Sequence, residues 1–192
     1  SGDVDLDRFL HKFAGQNQFK HHLGVTYVAL DAGRVLGYVT VAPGDVEIDD
    51  LPVAARKRLP RYPLPVLRLA RLAVDESIKG LGCGGQLLRF VLHLALRMAG
   101  DYGCVGVVVD AKPGALDFYR RYGFIAVEAL EGQSDARPAI QRNNLVICLV
   151  KRGTDQVVHG RIHDHEILPA RPFHVLDARD KNACVAGNEA TG

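Results

Sequence analysis

At 192 residues, 47% of them hydrophobic, the chain fits one domain with a sizeable core and does not call for a second. No apolar run approaches the roughly twenty residues of a membrane span, and the first residues lack a charged-then-apolar signal pattern, so a soluble cytoplasmic protein is expected. The net charge of +2 says little, and Cys83, Cys104, Cys148 and Cys184 form no CxxC pair, which fits reduced thiols in a cytoplasm.

In chain order, Leu6, Phe9, Leu10 and Phe13 share one face of a helix predicted over about 4–14. Strands near 25–30 and 35–41 flank the turn from Asp31 to Arg34 and form a hairpin. Residues 51–59 suit a short helix, after which prolines 60, 63 and 65 force an extended entry into a strand over 66–74. The cluster GLGCGG at 80–85 opens a second long helix near Gly84, whose Leu87, Leu88, Val91, Leu92, Ala95, Met98 and Ala99 recur at spacings of three and four. A strand over 104–110 follows. Pro113 opens another helix that Gly123 closes, and strands over 124–128 and 145–150 complete the pattern. Past about Arg152 periodicity fades and breakers multiply, which divides the chain into a domain over 1–152 and a poorly ordered tail over 153–192. His159, His163 and His165 lie in that tail with no cysteine and no rigid scaffold, so no metal site is expected.

Four of the six residues from Gly80 to Gly85 are glycine, which lets the backbone take positive φ and expose its amides with no Cβ in the way. The N-terminus of the following helix adds its dipole and unpaired N–H groups at the same place, which makes an anion site suited to a pyrophosphate. GLGCGG also matches the dinucleotide fingerprint GxGxxG, with Asp110 at a suitable distance for a ribose acid. Against that rival, five residues from Asp75 to Lys79 separate strand from glycine where the dinucleotide turn is tighter, and no second mononucleotide half follows. A purely structural turn rarely needs so many glycines.

Charge is uneven. Residues 51 to 123 hold twelve Lys or Arg against five Asp or Glu, and 51–74 contain Arg56, Lys57, Arg58, Arg61, Arg68 and Arg71 with no acid. Such a segment suits either a polyanion such as tRNA or a solvated basic face. Asp45, Glu47, Asp49 and Asp50 are loop acids for solvation, for attracting an amine or for meeting a basic partner. Arg71, inside an apolar strand, must reach solvent or find a partner.

The stretch VDESIKGLGCGGQLL resembles the acyl-CoA-binding motif of the GNAT family of N-acetyltransferases, with Lys79, Gly82 and Gly84 on its defining positions. Lys79 stands where the family usually has Gln or Arg and keeps the positive charge. LDRFLHKFAGQNQFKHH, the segment around GYVTVAPGDVEIDDLP, RYPLPVLRLARLAVD and DFYRRYGF extend the likeness over roughly residues 1–150 to the toxin branch of that family, whose members pair with ribbon-helix-helix antitoxins and acetylate aminoacyl-tRNA. The resemblance implies an α/β fold, with a mixed α+β sheet splayed at strands 66–74 and 104–110. In that branch a strand precedes the segment that SGDVDLDRFL resembles, so a first strand is expected to be missing here and the sheet edge to be exposed or covered by something else.

Acetyl-CoA is the implied donor, with no metal. Its implied contacts are Leu72, Ala73, Val74, Lys79, Gly80, Leu81, Gly82, Cys83, Gly84, Gly85 and Phe118, and a bulge in strand 66–74 would free amides for the pantetheine arm and the thioester oxygen. Tyr119 is the implied acid that protonates the departing thiolate, while Tyr122 suits the core. Asp110 either faces substrate or caps a turn. An α-amino group titrates near 8, lower when its carboxyl is esterified, so no strong protein base is required. Arg56, Lys57, Arg58, Arg61 and Arg71 are the implied tRNA contacts. The implied partners are aminoacyl-tRNA and an antitoxin, with a homodimer as the open alternative to a monomer. Rival readings are acetylation of a small amine or protein N-terminus, and a degenerate acyl-CoA-binding module.

Overall fold

A computed structural model of the chain describes residues 1–51, 56–57, 59–126, 145–150, 157–158 and 174–177. Its first helix, α1 (Val4–Lys12), is capped by Asp3, whose carboxylate accepts from the N–H groups of Asp5 and Leu6. Asp5 and Asp7 in the first turn and His11 and Lys12 in the last complement the helix dipole. Phe9 is buried, with Leu6 and Leu10 packed beside it, as the periodicity predicts. Phe13 departs from that prediction and is 42% exposed, because the α-helix ends there and the chain turns into a single π-helical turn over Gln16–Lys20. The changed pitch rotates Gln18 inward instead, where its side-chain oxygen accepts from the Thr26 N–H at 2.9 Å. Thr26 and Thr40 in turn share a buried hydroxyl–hydroxyl bond of 2.9 Å.

The described residues fall into two compact units. The first draws on Ser1–Ala42, Leu69–Val91 and His163–Gly192. Here β1 (Val25–Asp31) and β2 (Arg34–Val46) form the predicted antiparallel hairpin, in register from Val25 opposite Val41 to Asp31 opposite Arg34, with a bulge between Ala29 and Leu30. Ala32 and Gly33 at its tip both have positive φ, 48° and 81°, as a tight two-residue hairpin turn requires. The other edge of β1 pairs antiparallel with β8 (His174–Asp177), from Tyr27 opposite Asp177 to Leu30 opposite His174. That edge is therefore covered, by residues from the segment expected to be a poorly ordered tail; apart from 157–158 and 174–177, the tail lies outside the described residues. With β3 at Leu64–Val74, the strand order in this unit is β3-β2-β1-β8. Phe9, Ala14, Tyr38 and Ala73 form its core cluster, and the Tyr38 hydroxyl donates to the Leu6 carbonyl at 2.7 Å. A Cβ at Gly37 would sit 2.6 Å from the Ala73 carbonyl oxygen, so only glycine lets β2 approach β3 this closely.

The second unit draws on Pro43–Arg68 and Leu92–Ile162. With β4 at Gly106–Asp110, β5 at Ile125–Ala126 and β6 at Leu145–Val150, its strand order is β5-β6-β4-β3; β7 (Val157–Val158) also pairs with β6. β4 and β6 run antiparallel from Gly106 opposite Leu149 to Asp110 opposite Leu145. Val46, Leu51, Leu64, Val66, Val108 and Ile147 make the core cluster. The strand expected from 104 starts at 106, since Val105 bonds to the Pro65 carbonyl before the ladder begins.

The long helix, α2 (Cys83–Asp101), buries Leu87, Leu88, Val91, Leu92, Ala95 and Ala99 of the predicted stripe, and Met98 is half-buried. Pro113 starts a 3-10 turn that leads into α3 (Leu116–Arg121), and Gly123, at φ 80°, ends it. Most of the helix expected over 51–59 lies outside the described residues. The class is the expected one, α/β with a mixed sheet.

Candidate functional site

The glycine cluster forms the turn that the sequence suggests. β3 ends at Val74, and the Asp75 N–H then bonds to the Leu36 carbonyl at 2.8 Å. One 3-10 turn, Glu76–Ile78, carries the chain to Lys79, and the Leu81 N–H returns to the Ile78 carbonyl at 3.2 Å. Gly80 and Gly82 take φ of 82° and 88°, conformations that a side chain makes strained. α2 starts at Cys83, and the first bond into its frame runs from the Gln86 N–H to the Gly82 carbonyl. Among the described residues the amides of Gly82, Cys83, Gly84 and Gly85 donate to no backbone carbonyl, as the first turn of a helix dictates. Nothing lies within 4 Å of a Cβ built on Gly80. Open glycine backbone, free amides and the positive end of a nineteen-residue helix together suit an anion.

The flanking residues fit a polar ligand lying on this turn. Lys79, Gly80 and Leu81 are exposed, Gly82 and Gly84 are half-buried, and Cys83 and Gly85 are buried. Burial pushes the Cys83 thiol up to about 11, so it stays neutral and acts as a small packing residue. On β3, Ala73 is buried and Leu72 and Val74 are half-buried. Two adjacent residues, Val66 and Leu67, are both buried, which breaks the alternation expected of a regular strand.

Tyr119 lies on α3 and is 6% exposed. Its ring stands edge-on to Phe118 at 5.1 Å and to Phe124 at 5.4 Å. The hydroxyl has no hydrogen-bond partner among the described residues. Burial pushes its pKa up to about 12, which keeps it a proton donor across the physiological range. Tyr122 is half-buried, 5.2 Å from Phe118, and closes the helix through its backbone. Asp110 is exposed at the end of β4, and the helical turn after it has no side-chain cap.

The basic segment divides by what each cation touches. Arg56 donates to the carbonyls of Leu51 and Asp49 and pairs with the Asp49 carboxylate at 3.5 Å, so it fastens its own turn. Lys57, Arg61 and Arg68 are exposed, while Arg58 lies outside the described residues. Arg71 places its guanidinium carbon 3.7 Å from the centroid of the Phe9 ring, a cation–π contact that supplies the partner expected of a cation in an apolar strand. Among the described residues no group of three His, Cys, Asp or Glu side chains converges on one point, and His159, His163 and His165 lie outside them. No helix among the described residues is long and apolar enough to cross a membrane.

One constellation escapes sequence reasoning. The Asp75 carboxylate accepts from the Ser77 N–H at 2.9 Å, from the Ser77 hydroxyl at 2.6 Å and from Arg34 at 3.1 Å, and Arg34 also donates to the Ser77 hydroxyl at 2.8 Å. The Asp-x-Ser spacing just after a strand signals the local turn. Nothing in the sequence signals Arg34, forty-one positions away.

Comparison with known proteins gives this geometry a family. The acetyltransferase (GNAT) domain family matches residues 22–126. The chain is 35% identical over 127 residues to a tRNA-acetylating toxin of Mycobacterium tuberculosis, covering 65% of this chain and 74% of that protein. It is 32% identical over 94 residues to the uncharacterized N-acetyltransferase YhbS of Escherichia coli, covering 49% of this chain and 44% of that one. Among solved structures, a tyrosine-to-phenylalanine mutant of KacT superposes with a TM-score of 0.66 at 25% identity, over 77% of this chain and 83% of the other. AtaT complexed with acetyl-methionyl-tRNAfMet gives the same score at 24% identity, over 76% and 82%, a likeness of fold. The chain belongs to the GNAT family of acetyltransferases, in the branch that holds these toxins.

Proposed function

We propose that this chain transfers the acetyl group of acetyl-CoA to the α-amino group of an aminoacyl-tRNA in the cytoplasm, acting as a translation-inhibiting toxin that an antitoxin restrains. The observation that carries the reading is the anion-ready turn from Lys79 to Gly85, at the motif position of a family in which a tRNA-acetylating toxin is 35% identical to this chain. AtaT supports the partners, since it has been solved with acetyl-methionyl-tRNAfMet and with acetyl-CoA and the C-terminus of the antitoxin AtaR.

Acetyl-CoA supplies an activated acetyl thioester. In this reading the amides of Gly82 to Gly85 and the charge of Lys79 take the pyrophosphate, Leu81 and Phe118 offer apolar contact, and backbone groups of Leu72, Ala73 and Val74 line up the pantetheine arm and the thioester oxygen. The amine nitrogen forms its bond to the thioester carbon, the C–S bond breaks, the departing sulfur takes a proton from Tyr119, the amine's surplus proton passes to water, and water returns a proton to the Tyr119 phenolate. An α-amino group near pKa 8 is substantially neutral at working pH, which removes the need for a protein base.

Proton transfer from Tyr119 depends on how dry the site is. A solvated thiol titrates near 8.5, so a phenol near 12 would be a poor donor to a solvated thiolate. Burial, however, pushes Cys148 of this chain up to about 12 and Cys83 to about 11. A thiolate expelled where water is excluded would be pushed in the same direction, which narrows the gap.

Lys57, Arg58, Arg61 and Arg71 are the proposed tRNA contacts, while Arg56 fastens its own turn through Leu51 and Asp49. Radiolabelled acetyl-CoA, charged tRNA and the protein test the reading, with the ester hydrolysed and the released amino acid examined by mass spectrometry. An N-acetylated amino acid is the expected product. Acetylation of free amines or peptide N-termini while charged tRNA stays unmodified would transfer the assignment to a small-amine or protein acetyltransferase, and acetyl-CoA binding with no transfer to any amine would make the chain a binding module.

A further inference from the structure

Asp75 sits where the chain leaves β3 and enters the glycine turn, and it is held on both sides. Its N–H bonds to Leu36 on β2, and its carboxylate gathers the N–H and hydroxyl of Ser77 and the guanidinium of Arg34, the first residue of β2. Because Arg34 also donates to the Ser77 hydroxyl, the three side chains form a closed triangle that joins the hairpin tip to the entrance of the turn. Past Ser77, the bonds within the turn are local: Lys79 to Glu76 and Leu81 to Ile78.

The triangle contributes little to global stability. Arg34 is 59% exposed and the Asp75 side chain 33%, and solvent screens an ion pair of that exposure heavily. The turn it anchors, by contrast, contains two glycines at positive φ, at 80 and 82, which have the largest conformational freedom to lose when a ligand orders them. A carboxylate that already fixes the entrance removes part of that loss before the ligand arrives.

We propose that Asp75, clamped by Arg34 and Ser77, is a positioning residue that pre-orders the 79–85 turn for the pyrophosphate of the acyl donor. The clamp rests on the reading of that turn as the acetyl-CoA site. A carboxylate suits this role because the hydroxyl and N–H of Ser77, and then Arg34, hold its pKa at about 2, so it is charged wherever the enzyme works. Asp75 touches neither donor nor acceptor in this scheme and acts through the backbone it holds.

Calorimetric titration of acetyl-CoA, steady-state kinetics and thermal melts on Asp75→Ala, Asp75→Asn and Arg34→Gln test it. Ordering a turn residue on binding has a modest entropic cost, so Asp75→Ala should raise the acetyl-CoA Kd and KM about 3- to 10-fold, through a less favourable binding entropy. Its kcat at saturating acetyl-CoA should stay within about twofold and its Tm within about 3 °C of wild type. Asp75→Asn keeps an oxygen for the Ser77 N–H and loses only the charge, so it should recover part of the affinity; Arg34→Gln should show a smaller loss of the same kind. Unchanged acetyl-CoA affinity in both Asp75→Ala and Arg34→Gln, with wild type binding normally, overturns the clamp alone. A fall in kcat with KM unchanged overturns it as well, as does an Asp75→Ala protein that melts far below wild type beside an Arg34→Gln protein of full affinity. Failure of wild type itself to bind acetyl-CoA overturns the donor-site reading and the clamp with it.

Discussion

Replacing Tyr119 by phenylalanine separates its proposed role as the acid from its packing role. The ring contacts with Phe118 and Phe124 at 5.1 and 5.4 Å survive the change. The hydroxyl has no partner among the described residues, so its loss orphans no donor or acceptor. Stability should therefore stay within about 0.5 kcal/mol of wild type, and acetyl-CoA affinity should not move. The transfer step loses its acid, which is worth about 10²- to 10⁴-fold in rate, or roughly 3–5 kcal/mol of barrier. Single-turnover quench-flow with saturating acetyl-CoA and charged tRNA reads that step free of product release, and Tyr122→Phe is the control. With Tyr119 pushed up to about 12, the wild-type rate should show no alkaline fall from this group until pH approaches that value, while its acidic limb follows the amine of the acceptor. Transfer by Tyr119→Phe at the wild-type rate, or loss of transfer in Tyr122→Phe instead, would refute the assignment and leave Tyr119 as a core residue.

Gly82→Val forces a β-branched residue to φ near the 88° seen here and places a side chain against the free amides, so acetyl-CoA affinity by calorimetry should fall about tenfold or more; full affinity would remove the turn from the donor site. Neutralising Lys57, Arg58 and Arg61 together should flatten the dependence of tRNA KM on salt by about two logarithmic units per decade, the share of three phosphate contacts at about 0.7 each, and an unchanged slope would return these residues to a solvated face. Arg56→Gln should instead lower Tm, with the salt slope kept, because its guanidinium is bound to Leu51 and Asp49. Burial pushes Tyr38 and Tyr119 each to about 12, above the roughly 10 of an unfolded tyrosine. The native state then keeps protons that the unfolded state has released, so the stabilisation is whole below pH about 10 and is lost toward 12, at about 1.4 kcal/mol per pH unit for each tyrosine. Urea melts across that window should show a shallower loss in Tyr119→Phe, and an equal slope would show that its pKa is not raised.

The parts of this protein that can be read from its sequence are those built from neighbours in the chain. Strand, glycine turn and helix lie consecutively from 64 to 101, so spacing and residue type are enough to place an anion site there. The hairpin is legible for the same reason. Phe13 defeats the reading because hydrophobic spacing assumes one pitch, and the π turn at Gln16–Lys20 changes it in favour of a buried, bonded Gln18. Arg34 beside Asp75 and β8 beside β1 depend on contacts between segments far apart in the chain, and a single sequence carries no signal for such pairs. Tyr119 stands out by its motif position alone; its burial between Phe118 and Phe124 is a property of packing.

Counting cations in a sequence measures supply, and the structure shows how much of the supply is already engaged. Of the six basic residues in 51–74, Arg56 is bound to its own turn and Arg71 lies over Phe9, which leaves Lys57, Arg61 and Arg68 exposed among the described residues. Three phosphate contacts release only about two counterions from a single strand. That supports encounter with a tRNA and a binding that weakens quickly with salt, but it cannot by itself select one nucleic acid from another, since phosphate contacts carry no sequence information. In this reading, selectivity must come from groups that meet the aminoacyl end, near the thioester and Tyr119. If these cations meet tRNA as proposed, they set how often a tRNA arrives, and the groups that meet its aminoacyl end set which one is acetylated.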